Sequence, residues 1–266
     1  MSQQTKSAWW TPESAFFGPL YLEADDSYRT FFAGDAEIED RTAKEVSGIE
    51  RLCSLTPGER VVDCPCGYGR HSIELARRGY DVTGVDINPY FLKLAKERAT
   101  EVGATVDFRS ADMRKLPEMK PTNAIINMFY SFGFFDTVED DLHVLSGFHK
   151  QLADDGKLLI HTMITVPAFE TGRIPAMETR HLRSGRRLRS LRMFDPASRR
   201  EVGRWSIFHP NGEEDPLPVY SVRIYLPDEL EELCLKAGFS SVRFYGDWDG
   251  TPYMDESPYL ILVADA

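Results

Sequence analysis

The chain has 266 residues, a formal net charge of −11, 42% hydrophobic and 27% charged residues, which fits one globular domain with an insertion or a small second domain and excludes a disordered chain. The negative charge opposes nonspecific binding to nucleic acid or to an anionic membrane. No apolar run approaches the roughly 18 residues a bilayer needs, the N-terminus MSQQTKSAWW has no basic region followed by an apolar run, and four cysteines make no disulfide framework, so a cytoplasmic protein is expected.

The first 32 residues carry eight aromatics, from Trp9 to Phe32, and such a segment must pack on something. Residues 40–55 place Val46, Ile49, Leu52 and Leu55 on one helical face, and Pro57-Gly58 ends that helix. "ERVVDC" reads as a short buried strand, "RHSIELARRG" as a helix closed by Gly79, and "YDVTGVD" as a second strand ending in Asp86. "PYFLKLAKERATEVG" is a helix with Pro89 in its first turn. "ATVDFRSAD" and "NAIINMFY" are strands three and four. "TVEDDLHVLSGFHKQLADDG" is a helix stopping at Gly156, and "KLLIHTMI" is a fifth strand. This alternation implies right-handed crossovers and a parallel sheet with helices on both faces. It breaks after residue 166. Residues 186–194, 200–209 and 217–226 read as three strands of an antiparallel meander inserted at 167–226. Residues 227–266, with "PDELEELCLKAG" and two strands, resume the α/β pattern.

The stretch "VVDCPCGYGRHS" raises three readings: metal, redox or ligand loop. Cys64 and Cys66 have neither zinc spacing nor C-x-x-C redox spacing, and Cys53 and Cys234 are isolated, so no metal is expected and the sulfurs read as small buried hydrophobes. Gly67 and Gly69 leave the backbone uncovered where a helix begins, beyond the carboxyl end of the first strand. That suits any nucleotide-like ligand. Asp63 narrows it. A carboxylate there repels a pyrophosphate and attracts an amino group and a sulfonium. Asp86, at the end of the second strand, can accept hydrogen bonds from ribose hydroxyls. Together they argue against a dinucleotide and for S-adenosylmethionine.

The run "VVDCPCGYGR…VTGVDIN…ADMRKLP…NAIINMFYSFG…LADDGKLLI" resembles the class I S-adenosylmethionine-dependent methyltransferases of the small-molecule type. The resemblance implies a Rossmann-like, doubly wound α/β fold: a mostly parallel seven-stranded sheet with an antiparallel last strand, here with the inserted β meander. It implies that Asp63, Gly67 and Gly69 match the family's glycine motif, with Pro65 where its first glycine is usual. Asp86 matches the ribose-binding acid, Asp112 the residue that meets the adenine amino group, with Met113 beside it, and Asn127 and Met128 the segment beneath the reacting methyl. Cys64 and Ile87, next to the two strand-end acids, complete the expected cofactor-binding set.

The resemblance also supports reading residues 1–39 as an aromatic lid over a core at 40–166, because such enzymes often close the site with an N-terminal segment. Ten arginines between Gly172 and Arg204 face Glu178, Asp195 and Glu201. They read as a solvated outer face, as docking for an anionic acceptor, as an RNA contact, though without an aromatic stacking motif beside them, or as a homo-oligomer contact. The meander is expected above the ends of strands four and five, as a wall of the acceptor pocket. Methyl transfer at a sulfonium is driven by alignment and desolvation. His161, late in strand five, is the candidate base, against a hydrogen-bonded strand-end histidine. Tyr21 is the second candidate, for orienting the acceptor or the cofactor carboxylate, against simple packing. The expected activity is methylation of an amine or hydroxyl of a small metabolite. An RNA or protein methyltransferase and a non-catalytic nucleotide-binding module are the alternatives. Strand four reads "NMFYSF" instead of the "NPPY" type used on nucleic-acid amines.

Overall fold

A computed structural model describes residues 8–24, 38–182 and 184–266. Tyr28, Phe31, Phe32 and Arg183, four residues of the expected aromatic and arginine-rich segments, lie outside that range. The chain divides into two compact units: the described part of residues 1–38 with 175–223, and residues 39–174 with 224–266. Among the described residues, no helix is long and apolar enough to cross a membrane.

The larger unit holds the expected seven-stranded sheet. Its strands are β1 (Arg60–Asp63), β2 (Asp81–Asp86), β3 (Asp107–Ser110), β4 (Thr122–Asn127), β5 (Leu152–Thr162), β11 (Ser241–Tyr245) and β12 (Leu260–Asp265). Their order is β11-β12-β5-β4-β1-β2-β3. β1 to β5 pair in parallel, while β12 runs antiparallel to both β5 and β11. The order reverses between β1 and β4. In such sheets the crevice outside the carboxyl ends at the reversal is the ligand position.

Helix α1 (Ile38–Cys53) covers one face of this sheet. Val46, Ile49, Leu52 and Leu55, the row expected from the sequence, are buried with Val61, Val82, Ile126, Leu159 and Ile261. Helix α2 (Arg70–Arg77) follows β1, and α3 (Pro89–Glu101) follows β2. Asn88 caps α3, its Oδ1 accepting from Tyr90 N at 2.9 Å, and Pro89 fits the first turn because its missing N–H would have no helical partner there.

Two glycines let this layer close. Gly69 has φ +81, and a Cβ there would stand 2.9 Å from Ala95 Cβ and 3.0 Å from Phe108 Cζ. A Cβ on Gly84 would stand 2.7 Å from Phe108 Cδ1. Gly69→Ala combines left-handed strain with overpacking, so urea denaturation is expected to show a loss of about 2–4 kcal/mol. A loss below about 0.5 kcal/mol would contradict this packing account.

One boundary differs from expectation. Helix α4 (Val138–Gln151) stops five residues before Gly156, because Leu152 turns extended and pairs with Thr122 to begin β5. The register shifts between Thr122 and Ala124 accommodate the extra residues. Gly156 sits at that bulge, where a Cβ would stand 2.9 Å from Thr122 O.

The smaller unit is an antiparallel sheet of β6 (Met177–His181), β7 (Arg187–Asp195), β8 (Arg200–Phe208), β9 (Glu214–Pro216) and β10 (Tyr220–Arg223), ordered β10-β8-β7-β6 with β9 also on β8. The expected meander is therefore present with five strands instead of three. The last expected strand is broken, since Pro216 closes β9 and Pro218 has no N–H to donate. The unit boundary falls at 175 and 223, inside the expected 167–226, because a short helix α5 (Val166–Glu170) and Tyr225 belong to the larger unit.

Residues 8–24 pack on this sheet. Trp9 Nε1 donates to Ser221 O at 3.1 Å, Phe16 is buried, and Tyr21 stacks on Trp205 with centroids 5.6 Å apart and planes at 4°. Glu23 pairs with Arg186. The arginines split by strand face. Arg187, Arg189 and Arg204 are exposed, as a solvated face requires. Arg180 and Arg192 are buried and paired with Glu178, at 3.2 and 3.4 Å, which corrects the reading of the whole cluster as solvated.

Candidate active site

The carboxyl ends of β1, β2 and β4 carry Asp63, Asp86 and Asn127, and Asp112 follows the end of β3. Register puts Asp63 opposite Gly84 and Ile126, and Asp86 opposite Ser110. The loop after β1 is sewn to both neighbours: Cys64 N donates to Ile126 O, and Cys66 N to Val85 O, each at 2.9 Å. Gly67 has φ +54, and nothing lies within 4 Å of where its Cβ would be. Its N–H donates to Asp86 Oδ2 at 2.8 Å. The loop backbone is thus held from behind and bare in front.

Asp63 is 1% exposed. Its Oδ2 accepts from Ser72 Oγ at 2.6 Å, while Oδ1 is buried with no hydrogen-bond partner. Burial pushes its carboxyl up to about 7. Burial also lifts Asp86, to about 6, against the amides of Asn88 and Gly67 that favour its ionised form. Asn127 donates from Nδ2 to Cys64 O at 2.9 Å, and its Oδ1 is buried without a partner. Met113 is buried nearby, its Sδ 4.0 Å from Asn127 Nδ2. Asp112 differs from the other acids. Burial opposes its charge, yet Arg114, bonded at 2.7 Å, holds it below the usual carboxylate range. Ile87 is half-buried after Asp86. The Cys64 and Cys66 thiols are buried and pushed well above their usual range by burial. They are neutral apolar groups.

A second cluster lies on α1, and the sequence reading missed it. Glu45 is 2% exposed and accepts from Arg41 Nε at 2.9 Å, from Arg70, and from His71 Nε2 at 2.9 Å. Burial opposes its charge, but Arg70 and its other partners hold it well below the usual range. Burial pushes His71 down to about 4, so the neutral ring donates to Glu45. Arg41 is 8% exposed, and both its Nη1 and Nη2 are buried with no acceptor among the described residues. Its Cζ lies 4.9 Å over the Phe129 ring, with Arg70 at 5.9 Å from the same ring. The charge of Arg70 also acts on Asp63, which ties this cluster to the end of β1. One signal was in the sequence: Arg41 and Glu45 extend the helical row of Ile49 and Leu52, so their charges fall on the buried face.

His161 is enclosed by aromatic side chains. It is 0% exposed, and burial pushes its imidazole down to about 3. Its ring lies against Trp248 and Tyr259, at 4.9 and 5.1 Å. Nδ1 accepts from Phe129 N at 3.3 Å. That hydrogen bond fits the alternative of a hydrogen-bonded strand-end histidine, and a value of about 3 does not suit a base near neutral pH. Tyr21 is held by Trp205 in the smaller unit.

Residues 55–186 match the family model of a methyltransferase domain. The chain belongs to the class I S-adenosylmethionine-dependent methyltransferases. This methyltransferase is 27% identical over 164 residues to a ubiquinone biosynthesis O-methyltransferase of Idiomarina loihiensis, covering 58% of the chain and 67% of the relative. It is 41% identical over 76 residues to a magnesium-protoporphyrin O-methyltransferase of Rhodobacter capsulatus, covering 28% of the chain and 34% of that enzyme. The chain thus spans only about a third of the second relative. Its fold is that of a methyltransferase of Streptomyces caelestis, with TM-score 0.74 at 17% identity over 84% of this chain and 89% of that one. A structure of an S-adenosylmethionine-bound amino pentose methyltransferase of Micromonospora echinaspora gives TM-score 0.68 at 22% identity, covering 93% and 97%.

The methyltransferase's own residues fit this cofactor. S-adenosylmethionine presents an ammonium, a sulfonium, a carboxylate and a ribose diol. The site offers Asp63 Oδ1 and Asn127 Oδ1 as buried acceptors without donors, and Arg41 Nη1 and Nη2 as buried donors without acceptors. In native structures such groups are few, and each calls for an explanation, a bound ligand among them.

Proposed function

We propose that the chain transfers a methyl group from S-adenosylmethionine to an amine or hydroxyl of a small metabolite by in-line displacement. The observation that carries this is the set of buried, unpartnered polar atoms on Asp63, Asn127 and Arg41, which complements the charges of an amino acid beside a sulfonium. The cofactor would supply an activated methyl on sulfur. Arg41 then holds the carboxylate, Asp63 and Asn127 the ammonium, and Asp86 the ribose hydroxyls. The bare face of Gly67 admits the ligand close to the backbone. Asp112 has Arg114 on its carboxylate, so its share in meeting the adenine amino group rests on lone pairs that Arg114 leaves. The chain's part in the chemistry is alignment and exclusion of water.

The small-molecule acceptor is supported by the two O-methyltransferase relatives, and the amine option by the amino pentose enzyme of like fold. The net charge of −11 disfavours an RNA acceptor. Four buried free thiols suit a reducing compartment such as the cytoplasm.

Calorimetry tests the cofactor assignment. Asp86→Ala is expected to weaken S-adenosylmethionine binding by about 1–3 kcal/mol, the scale for lost hydrogen bonds to a charged group. Unchanged affinity in a folded variant removes the ribose role. Preference for NAD over S-adenosylmethionine in the unaltered protein removes the function itself. Release of S-adenosylhomocysteine, measured against hydroxylated and amino metabolites and against RNA, separates the acceptor classes.

A further inference from the structure

The turn after β4 is built on two consecutive left-handed residues that are not glycine: Phe129 with φ 61 and Tyr130 with φ 69. Both are strained for residues with a Cβ, and such strain persists only where neighbours over-determine it. One such neighbour is His161. His161 Nδ1 accepts from Phe129 N at 3.3 Å, and His161 O accepts from Tyr130 N at 3.1 Å. Both amides of the strained pair therefore end on His161. The imidazole cannot swing away, because Trp248 and Tyr259 hold it and its backbone is paired with Ile261 in β12. A neutral ring accepting at Nδ1 carries its proton on Nε2.

The turn in its turn places the Phe129 ring, and that ring lies beneath the Arg41 guanidinium, 4.9 Å from Cζ. Among the described residues, the hydrogen bond on that guanidinium is from Nε to Glu45. The geometry points to His161 as a positioning residue: it locks the Phe129–Tyr130 turn, which seats Phe129 under Arg41 and so sets the guanidinium that receives the cofactor carboxylate. This rests on the reading of Arg41 as the carboxylate ligand. His161 acts here through the backbone, with no proton transfer to the acceptor.

Two substitutions separate this role from others. In His161→Asn the amide Oδ1 can accept from Phe129 N much as Nδ1 does. In His161→Phe the ring packing stays and the acceptor is lost. Binding of S-adenosylmethionine by calorimetry and steady-state kinetics are measured on both. His161→Phe is expected to raise the cofactor Kd and KM about tenfold, the scale of one mispositioned cation–π contact, with kcat changed less than about threefold at saturating cofactor. His161→Asn is expected to restore most of that loss, and the shape of the pH–rate profile stays the same in both. The charged and titrating groups around the ring, Glu45, Arg41, His71, Arg70 and Tyr259, are intact in each variant. Phe129→Leu, which removes the ring but keeps the turn, is expected to reproduce the His161→Phe loss and serves if the latter does not fold. A large kcat loss in His161→Asn with unchanged KM and a lost ionisation would overturn the proposal in favour of a base. Equal cofactor affinity in the unaltered protein, His161→Phe and Phe129→Leu would also overturn it. No cofactor binding by the unaltered protein would instead overturn the functional reading on which it rests.

Discussion

Arg41→Met is expected to weaken S-adenosylmethionine binding by about 2–4 kcal/mol, the cost of losing a buried bidentate pair between guanidinium and carboxylate. Methionine keeps most of the apolar stem, so packing against α1 and Phe129 survives. Glu45 retains Arg70 and His71 and is not stranded as a lone buried charge. The change therefore removes mainly two donors, Nη1 and Nη2, which have no acceptor within the described protein. A ligand cycle isolates their target. Methylthioadenosine lacks the amino-acid carboxylate. Its affinity should be the same, within about 0.5 kcal/mol, for Arg41→Met and the unaltered protein. Equal losses for both ligands would mean that Arg41 supports the fold of the site and does not hold the carboxylate.

Arg41 also shows where sequence reading stops. The short apolar runs around "RVVD", "DVTGVD" and "TNAIIN" are rich in β-branched residues and bounded by turn residues, so β1, β2 and β4 were legible. With them came Asp63 and Asp86, since a strand end fixes where its last side chain stands. Arg41 was hidden because its partner Phe129 is 88 residues away and its burial depends on the α1 packing. For His161 the residue was legible and its hydrogen-bond partner was not. Its position near a strand end was visible, but the amide it accepts from belongs to another strand's turn. The same limit applies to the aromatic N-terminus. Its composition showed that it must pack, while only the structure shows Trp9, Phe16 and Tyr21 against β8 and β10. The short strands β6 and β9 were missed because three to five residues carry too little periodicity to register.

Asp63→Asn is expected to move stability and binding in opposite directions. Burial raises the Asp63 carboxyl from an ordinary value of 3.8 to about 7 in the folded chain. A raised folded value means that the native state holds its proton more tightly than the unfolded state. That contribution is full below about pH 4 and is lost as pH rises through about 7. A shift of this size corresponds to at most about 4 kcal/mol, and relaxation around a buried acid lowers the figure. The free protein is thus penalised at neutral and higher pH for ionising an acid that is 1% exposed and has one oxygen without a donor. Asparagine cannot ionise. Relative to the unaltered protein, the Asp63→Asn variant should gain about 2–3 kcal/mol between pH 5 and pH 8 when unfolded by urea without ligand. Asp86, lifted to about 6, titrates in both proteins, so the difference reports Asp63. Binding runs the other way. At pH 8 the ionised Asp63 faces the ammonium, and the neutral amide does not, so calorimetry should show S-adenosylmethionine bound about 2–3 kcal/mol more weakly by the variant. Towards pH 5.5 the unaltered protein loses that advantage as Asp63 takes up a proton. A stability difference that is flat from pH 5 to pH 8 would show that burial does not lift this acid. With the expected slope, the ligand's positive charge is what makes an ionised Asp63 tolerable in the closed sheet end.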